Sequence, residues 1–162
     1  MKSFRRHQLT YHTCKFQFGF VIVDDMFLST KINFTSSITF IKQTNLKALI
    51  IDDEIDICYL LSGILKQKNC QTRYVNNLKD AVVELKNSSP IIVFLDNHLP
   101  DGLGIEFVDH IKKNYPATKI IMITAYDTIA DRQQAISMGV DIFIGKPFTK
   151  EAVNSAIEEL IS

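Results

Sequence analysis

The chain has 162 residues, 46% of them apolar and 22% charged, and its eighteen Lys and Arg balance eighteen Asp and Glu. This suits one ordinary globular domain with room for a tail. It argues against a membrane protein: the near-continuous apolar run Phe16 to Val23 is broken by Gln17 and stopped by Asp24 and Asp25, far short of the roughly 20 residues a bilayer requires. Lys2, Arg5 and Arg6 open the chain, but polar His7, Gln8, Thr10, His12 and Thr13 stand where a secretory signal needs its apolar core, so a cytoplasmic protein is expected. Cys14, Cys58 and Cys70 form an odd set without CxxC spacing. That suits reduced thiols better than a disulfide framework or a zinc site.

Charge is unevenly divided. Residues 1–45 hold six Lys and Arg against two Asp, a net +4, and residues 46–162 hold twelve against sixteen, a net −4. The first segment also carries seven of the eleven Phe, no Pro and a Ser/Thr-rich run from Ser29 to Thr44, without a helical or alternating stripe. It is read as an N-terminal extension, either the product of an upstream start assignment or a poorly ordered arm. Its fragment Val21 to Asp25 mimics a strand with an acidic end, but the stronger copy at Leu49 to Asp53 follows too soon to leave space for a second domain. The remaining 117 residues are enough to bury well over half of their unfolded surface. Their acidic balance makes direct nucleic-acid binding unexpected.

From Leu46 onward, short Ile- and Val-rich runs alternate with stretches of helical periodicity, the pattern of repeated βα units around a parallel sheet. The first strand is expected at Lys47 to Ile51, followed by a helix striped by Ile57, Leu60, Leu61, Ile64 and Leu65. Thr72 to Val75 is the second strand, and Asn77 is placed to cap the helix striped by Leu78, Ala81, Val82 and Leu85. The third strand, Ile91 to Leu95, leads through the turn signal Pro100-Asp101-Gly102 into a helix carried by Leu103, Phe107, Val108 and Ile111, which Tyr115-Pro116 closes. The fourth strand spans Lys119 to Ile123. Its helix, about Asp127 to Met138, has the weakest stripe and ends at Gly139, where a left-handed residue fits. Asp141 to Ile144 is the fifth strand, and Thr149 caps the last helix, striped by Val153, Ala156, Ile157, Leu160 and Ile161. The first, third and fourth strands are apolar almost throughout, as strands buried on both faces should be. Right-handed crossovers then give a doubly wound α/β three-layer sandwich.

In an open parallel sheet the working site lies outside the carboxyl ends of the strands. The first strand delivers Asp52-Asp53 there, the third Asp96, the fourth Thr124-Ala125 and the fifth Lys146-Pro147. Three carboxylates placed together repel one another unless a cation intervenes. An oxygen-only donor set suits Mg²⁺. Lys146 supplies a point charge and Thr124 a hydroxyl for phosphoryl oxygens, so the set suits phosphoryl transfer to a carboxylate. Taken singly, these residues read otherwise: Asp52-Asp53-Glu54 as an acidic helix start, Asp96 as a turn residue, Lys146 as a solvated lysine, Phe143 as core. Their joint placement favours the functional reading.

The segments Ile50 to Glu54, Leu95 to Gly102, Ile123 to Ala125 and Gly145 to Phe148 resemble the receiver domain of bacterial response regulators, over residues 46–162. The resemblance implies a flavodoxin-like (βα)5 fold with a five-stranded parallel sheet. It implies Asp96 as phosphoacceptor, and Mg²⁺ held by Asp52, Asp53, Asp96 and the backbone carbonyl of His98. Thr124, with Ala125 beside it, and Lys146 would bind the phosphoryl group, Phe143 would be the switch aromatic, and His98 and Tyr126 would tune the lifetime of the phosphorylated state. A cis Lys146-Pro147 bond is implied too. Expected partners are a sensor histidine kinase or phosphotransfer protein and a downstream effector protein. No enzyme activity is expected beyond the domain's own phosphorylation and dephosphorylation. No output module is expected after Ser162, and no membrane association.

The first rival is a pseudo-receiver that serves only as a docking module; the complete acidic set argues against it. A dehalogenase-type phosphatase would show Asp-x-Asp after its first strand, where this chain has an adjacent pair, and a nucleotide-binding sheet would need a Gly-rich turn that Ile51 lacks.

Overall fold

The structure, a computed structural model, describes residues 46–125 and 128–161. The expectations for residues 1–45 and for Tyr126 lie outside the described residues. Seven strands and five helices follow in the order β1 (Lys47–Ile51), α1 (Ile55–Lys66), β2 (Gln71–Val75), α2 (Leu78–Ser88), β3 (Ile92–Asp96), β4 (His98–Leu99), β5 (Gly102–Leu103), α3 (Gly104–Asn114), β6 (Lys119–Thr124), α4 (Ile129–Ser137), β7 (Ile142–Gly145) and α5 (Lys150–Ile161).

Five strands pair in parallel in the order β2-β1-β3-β6-β7. Among the five main strands in chain order this is 2-1-3-4-5, the flavodoxin-like order, whose reversal lies between β1 and β3. The three central strands are nearly all buried, while the two edge strands are half-exposed. This is why the apolar runs singled out β1, β3 and β6.

Alternation along each strand splits the core into two layers. Ala48, Ile50, Ile92, Phe94, Ile121 and Ile123 face α1 and α5. Leu49, Ile51, Val93, Leu95, Ile120 and Met122 face α2, α3 and α4. Each fully buried Ile, Leu or Phe contributes about 1.5–3 kcal/mol relative to an exposed one. The sandwich is therefore held mainly by its strands. No described helix is long and apolar enough to cross a membrane.

The helix ends follow the expected chemistry. Asn77 accepts from the Asp80 N–H at 2.8 Å, Thr149 from Ala152 at 3.2 Å, and Gly139 takes φ +102° after α4. Lys146-Pro147 is cis. Several details differ from expectation: Leu60, Val82 and Ile161, counted in the helix stripes, are exposed because each lies at the solvent edge of its stripe. The turn after β3 contains a short antiparallel pair, β4 with β5. Leu103 belongs to that pair and is 40% exposed rather than part of the α3 stripe, because Gly104, not Leu103, is the first helical residue. As expected, α4 is the least anchored helix: Ala135 is its one buried residue, and Ile129 and Ile136 are exposed.

At the opposite end of the sheet, Asp141 ties three elements. Its carboxylate meets Lys112 Nζ at 2.6 Å and Lys119 Nζ at 3.1 Å and accepts from the Ile120 N–H at 2.9 Å. Burial pushes the Asp141 carboxyl up, but these three bonds outweigh it and leave it below its ordinary value. A carboxyl lowered in the folded state stabilises above its unfolded pKa, and that contribution is lost as pH falls through the folded value. Asp141→Ala is expected to cost about 1–3 kcal/mol at neutral pH, since it leaves the Ile120 N–H unsatisfied. In urea titrations the gap between wild type and variant should close as pH drops below the ordinary carboxylate range; a gap independent of pH would refute the assignment.

Candidate functional site: an acidic cluster around Lys146

The parallel arrangement brings Asp52, Asp96, Thr124 and Lys146 to one edge. Asp52 follows β1, Asp96 and Thr124 end β3 and β6, and Lys146 follows β7. Register holds them level: Asp96 pairs with Ile123, and Thr124 with Gly145. The Thr124 carbonyl also accepts from the Lys146 N–H at 2.8 Å.

Asp52 and Asp96 are almost fully buried, at 1% and 5% exposure. Asp52 Oδ2 lies 3.0 Å from Lys146 Nζ, and its Oδ1 accepts from the Glu54 N–H at 2.9 Å. Asp96 Oδ1 lies 3.1 Å from the same ammonium, and its Oδ2 accepts from the His98 N–H at 2.6 Å. Glu54 Oε1 reaches Lys146 from the solvent side at 2.8 Å. Every carboxylate oxygen of the two buried aspartates therefore has a partner.

The charges do not balance. One ammonium serves two buried carboxylates and a third, exposed one. Burial pushes the Asp52 carboxyl above its ordinary value, although the hydrogen bonds from Lys146 and Glu54 oppose this. Burial alone would lower Lys146, but its bonds to Glu54 and Asp52 and the charge of Asp96 raise it, so it stays protonated. The site holds surplus negative charge that a further cation would neutralise.

Asp53 departs from the expected convergence of three carboxylates. It is exposed, and among the described residues no three His, Cys, Asp or Glu side chains gather closely enough to hold a metal ion by themselves. Of the two neighbours, Asp52 meets Lys146 at 3.0 Å and is buried, while Asp53 is exposed. The donor set still fits a hard cation. Two buried carboxylates beside backbone carbonyls and open solvent are what Mg²⁺ uses when it keeps several waters.

Of the other expected residues, Thr124 is buried at the strand end and Ala125 is exposed beside it. The side chain of His98 is exposed, while its main chain lies in β4 against Asp96. Phe143 is half-buried with the Arg132 guanidinium 5.1 Å over its ring. A small cavity of about 40 Å³ lies between Asn97, Thr124, Gln134 and Phe143.

The sequence model of the response regulator receiver domain matches residues 48–158. The chain belongs to that family. The chain is 39% identical over 101 residues to the response regulator protein PilR of Pseudomonas aeruginosa, covering 62% of this chain and 23% of PilR. It is 29% identical over 117 residues to the phosphate regulon transcriptional regulatory protein PhoB of Escherichia coli, covering 71% of this chain and 51% of PhoB. It thus spans a quarter to a half of the length of these relatives. Among solved structures it is similar to the receiver domain of NtrX from Brucella abortus, at 32% identity and TM-score 0.66, covering 70% of this chain and 97% of that one. A two-component response regulator from Clostridium difficile gives 25% identity and TM-score 0.68, covering 72% and 95%. The receiver fold read from the sequence is borne out.

One residue of the receiver site escaped the sequence reading. The first residue of α3, Gly104, packs so closely on the main chain of Asp96 that a Cβ would stand 2.0 Å from the Asp96 carbonyl oxygen. Asn97 closes the same contact, accepting from the Gly104 N–H through its carbonyl and from the Ile105 N–H through its side chain, both at 2.9 Å. Only its closeness to Asp96 in the sequence marked this glycine. Gly104→Ala should destabilise the domain by about 1–3 kcal/mol through overpacking. Gly63→Ala on α1, where nothing lies within 4 Å, should instead stabilise it by about 0.5–1 kcal/mol. Thermal denaturation of the two variants checks the contrast, and equal effects would refute it.

Proposed function

We propose that Asp96 accepts a phosphoryl group from a phosphohistidine on a sensor histidine kinase or phosphotransfer protein, and that the altered domain is read by a downstream effector protein. The observation that carries this reading is the pair of contacts at Lys146 Nζ, 3.0 Å from Asp52 and 3.1 Å from Asp96. A buried aspartate at a strand end, with an ammonium on one oxygen and a backbone N–H on the other, is held ready for transfer chemistry that needs placement and charge more than covalent assistance.

In the transfer, a carboxylate oxygen of Asp96 attacks phosphorus, a P–O bond forms and the P–N bond to the donor imidazole breaks. The electron pair of that bond stays on the imidazole nitrogen, which takes up a proton. Asp52, Asp96 and the His98 carbonyl would hold Mg²⁺, with the exposed Asp53 turning in from solvent as a further ligand, and the ion would neutralise phosphoryl oxygens when bound. Lys146 then exchanges part of its contact with Asp96 for a phosphoryl oxygen. Thr124, buried beside it, supplies a hydroxyl to another, with the Ala125 N–H adjacent. The cavity between Thr124 and Phe143 leaves space for the ring to move as Thr124 moves, which supports the assignment of Phe143 as switch aromatic. The exposed side chain of His98, two residues beyond Asp96, is assigned to tune water access to the acyl phosphate, which its exposure supports. The chemistry proposed for the domain is its own phosphorylation and dephosphorylation.

Incubation of the full chain with acetyl phosphate and Mg²⁺, followed by intact-mass measurement, is expected to add one phosphoryl group to wild type. Asp96→Asn should add none, and chelation of Mg²⁺ should abolish the gain. A wild type that gains nothing where a known receiver does would favour a docking module without phosphorylation.

A further inference from the structure

Two loops of the acidic site are tied to the beginning of α2. Asn76, the residue after β2, donates through Nδ2 to the backbone carbonyl of Asp52 at 2.7 Å. The Asp52 N–H donates to the Val75 carbonyl at 3.2 Å. Both main-chain polar groups of Asp52 are thus held by the β2–α2 junction, and Cys58 Sγ adds a contact to the same carbonyl at 3.3 Å. Asp101, five residues beyond Asp96, reaches that junction from the other loop. Its Oδ1 and Oδ2 accept from the Leu78 and Lys79 N–H groups at 2.8 and 2.9 Å. These two bonds hold the Asp101 carboxyl below its ordinary value although it is exposed. The first turn of α2 has its own cap in Asn77, so Asp101 adds a link between elements rather than a missing cap.

We propose that Asn76 and Asp101 are positioning residues that use the start of α2 as a common anchor to set the spacing between Asp52 and Asp96. This rests on the phosphoacceptor reading above. Neither residue touches the reacting atoms. The two carboxylates repel each other and share one ammonium, so their loops drift apart unless the main chain beneath them is fixed. Asn76 fixes the Asp52 loop, and Asp101 fixes the loop that runs from Asp96 through His98. Groups that orient metal-binding carboxylates act in this way, and losing one weakens binding without removing a ligand.

The test is Mg²⁺ binding by isothermal titration calorimetry on the full chain, with melting temperature and acetyl-phosphate labelling rate alongside. Asn76→Ala and Asp101→Ala should each weaken Mg²⁺ binding by about 10-fold and slow labelling at subsaturating Mg²⁺. Asp101→Asn retains one acceptor oxygen and should lose less. Asp141→Ala lowers stability from the opposite end of the sheet without touching either loop or the start of α2, so it should bind Mg²⁺ as wild type does. If Asp141→Ala weakens Mg²⁺ binding as much as the other two, general destabilisation accounts for the losses and the proposal falls. It falls equally if Asn76→Ala and Asp101→Ala bind as wild type does while wild type both binds Mg²⁺ and is labelled. A wild type that does neither overturns the phosphoacceptor reading itself, and this proposal with it.

Discussion

Lys146 places one ammonium between two buried carboxylates, with a third on its outer side. Moving two anions into a low-dielectric sheet edge is unfavourable, and one cation shared with a third, exposed carboxylate cannot fully offset it. The rest of the edge is arranged around this imbalance. Backbone N–H groups of Glu54 and His98 satisfy the outward oxygens, and the main chain of β6 holds Lys146 itself through the Thr124 carbonyl. A site left short of positive charge attracts a cation.

The large elements were legible because they obey simple periods. Ile92 to Leu95 and Ile120 to Ile123 are continuous apolar runs because both faces are covered, and Asn77, Thr149 and Gly139 carry the chemistry of helix ends. The strand-end residues were legible because a parallel sheet delivers every carboxyl end to one side. What escaped depends on distances that no spacing records. Asp53 reads as an equal partner of Asp52, yet Asp52 is buried against Lys146 and Asp53 is exposed. Gly104 reads as an ordinary helix residue, and its closeness to the Asp96 carbonyl follows from how α3 meets β3. Asn76 and Asp101 lie 25 positions apart and read as turn residues, and only folding brings both to α2. The hairpin of β4 and β5 is two residues per strand, below what alternation can reveal.

The two ends of the sheet solve similar electrostatic problems in opposite ways. At one end Asp141 receives two lysines and a backbone N–H, and its carboxyl is drawn down. At the other, Asp52 shares a single lysine and is pushed up. The first arrangement is satisfied and joins α3, β6 and the start of β7. The second has its oxygens partnered but carries surplus negative charge. Opposite ends of the same strands thus differ in charge balance.

The thin attachment of α4 has an energetic consequence. Thr128 and Asp131 form a capping box, so the helix holds its own first turn, but only Ala135 is buried in the core. Such a segment belongs to the low-stability end of a fold, where sub-global opening takes place well below the free energy of complete unfolding. The strands beneath it, buried on both faces, open only with the whole fold.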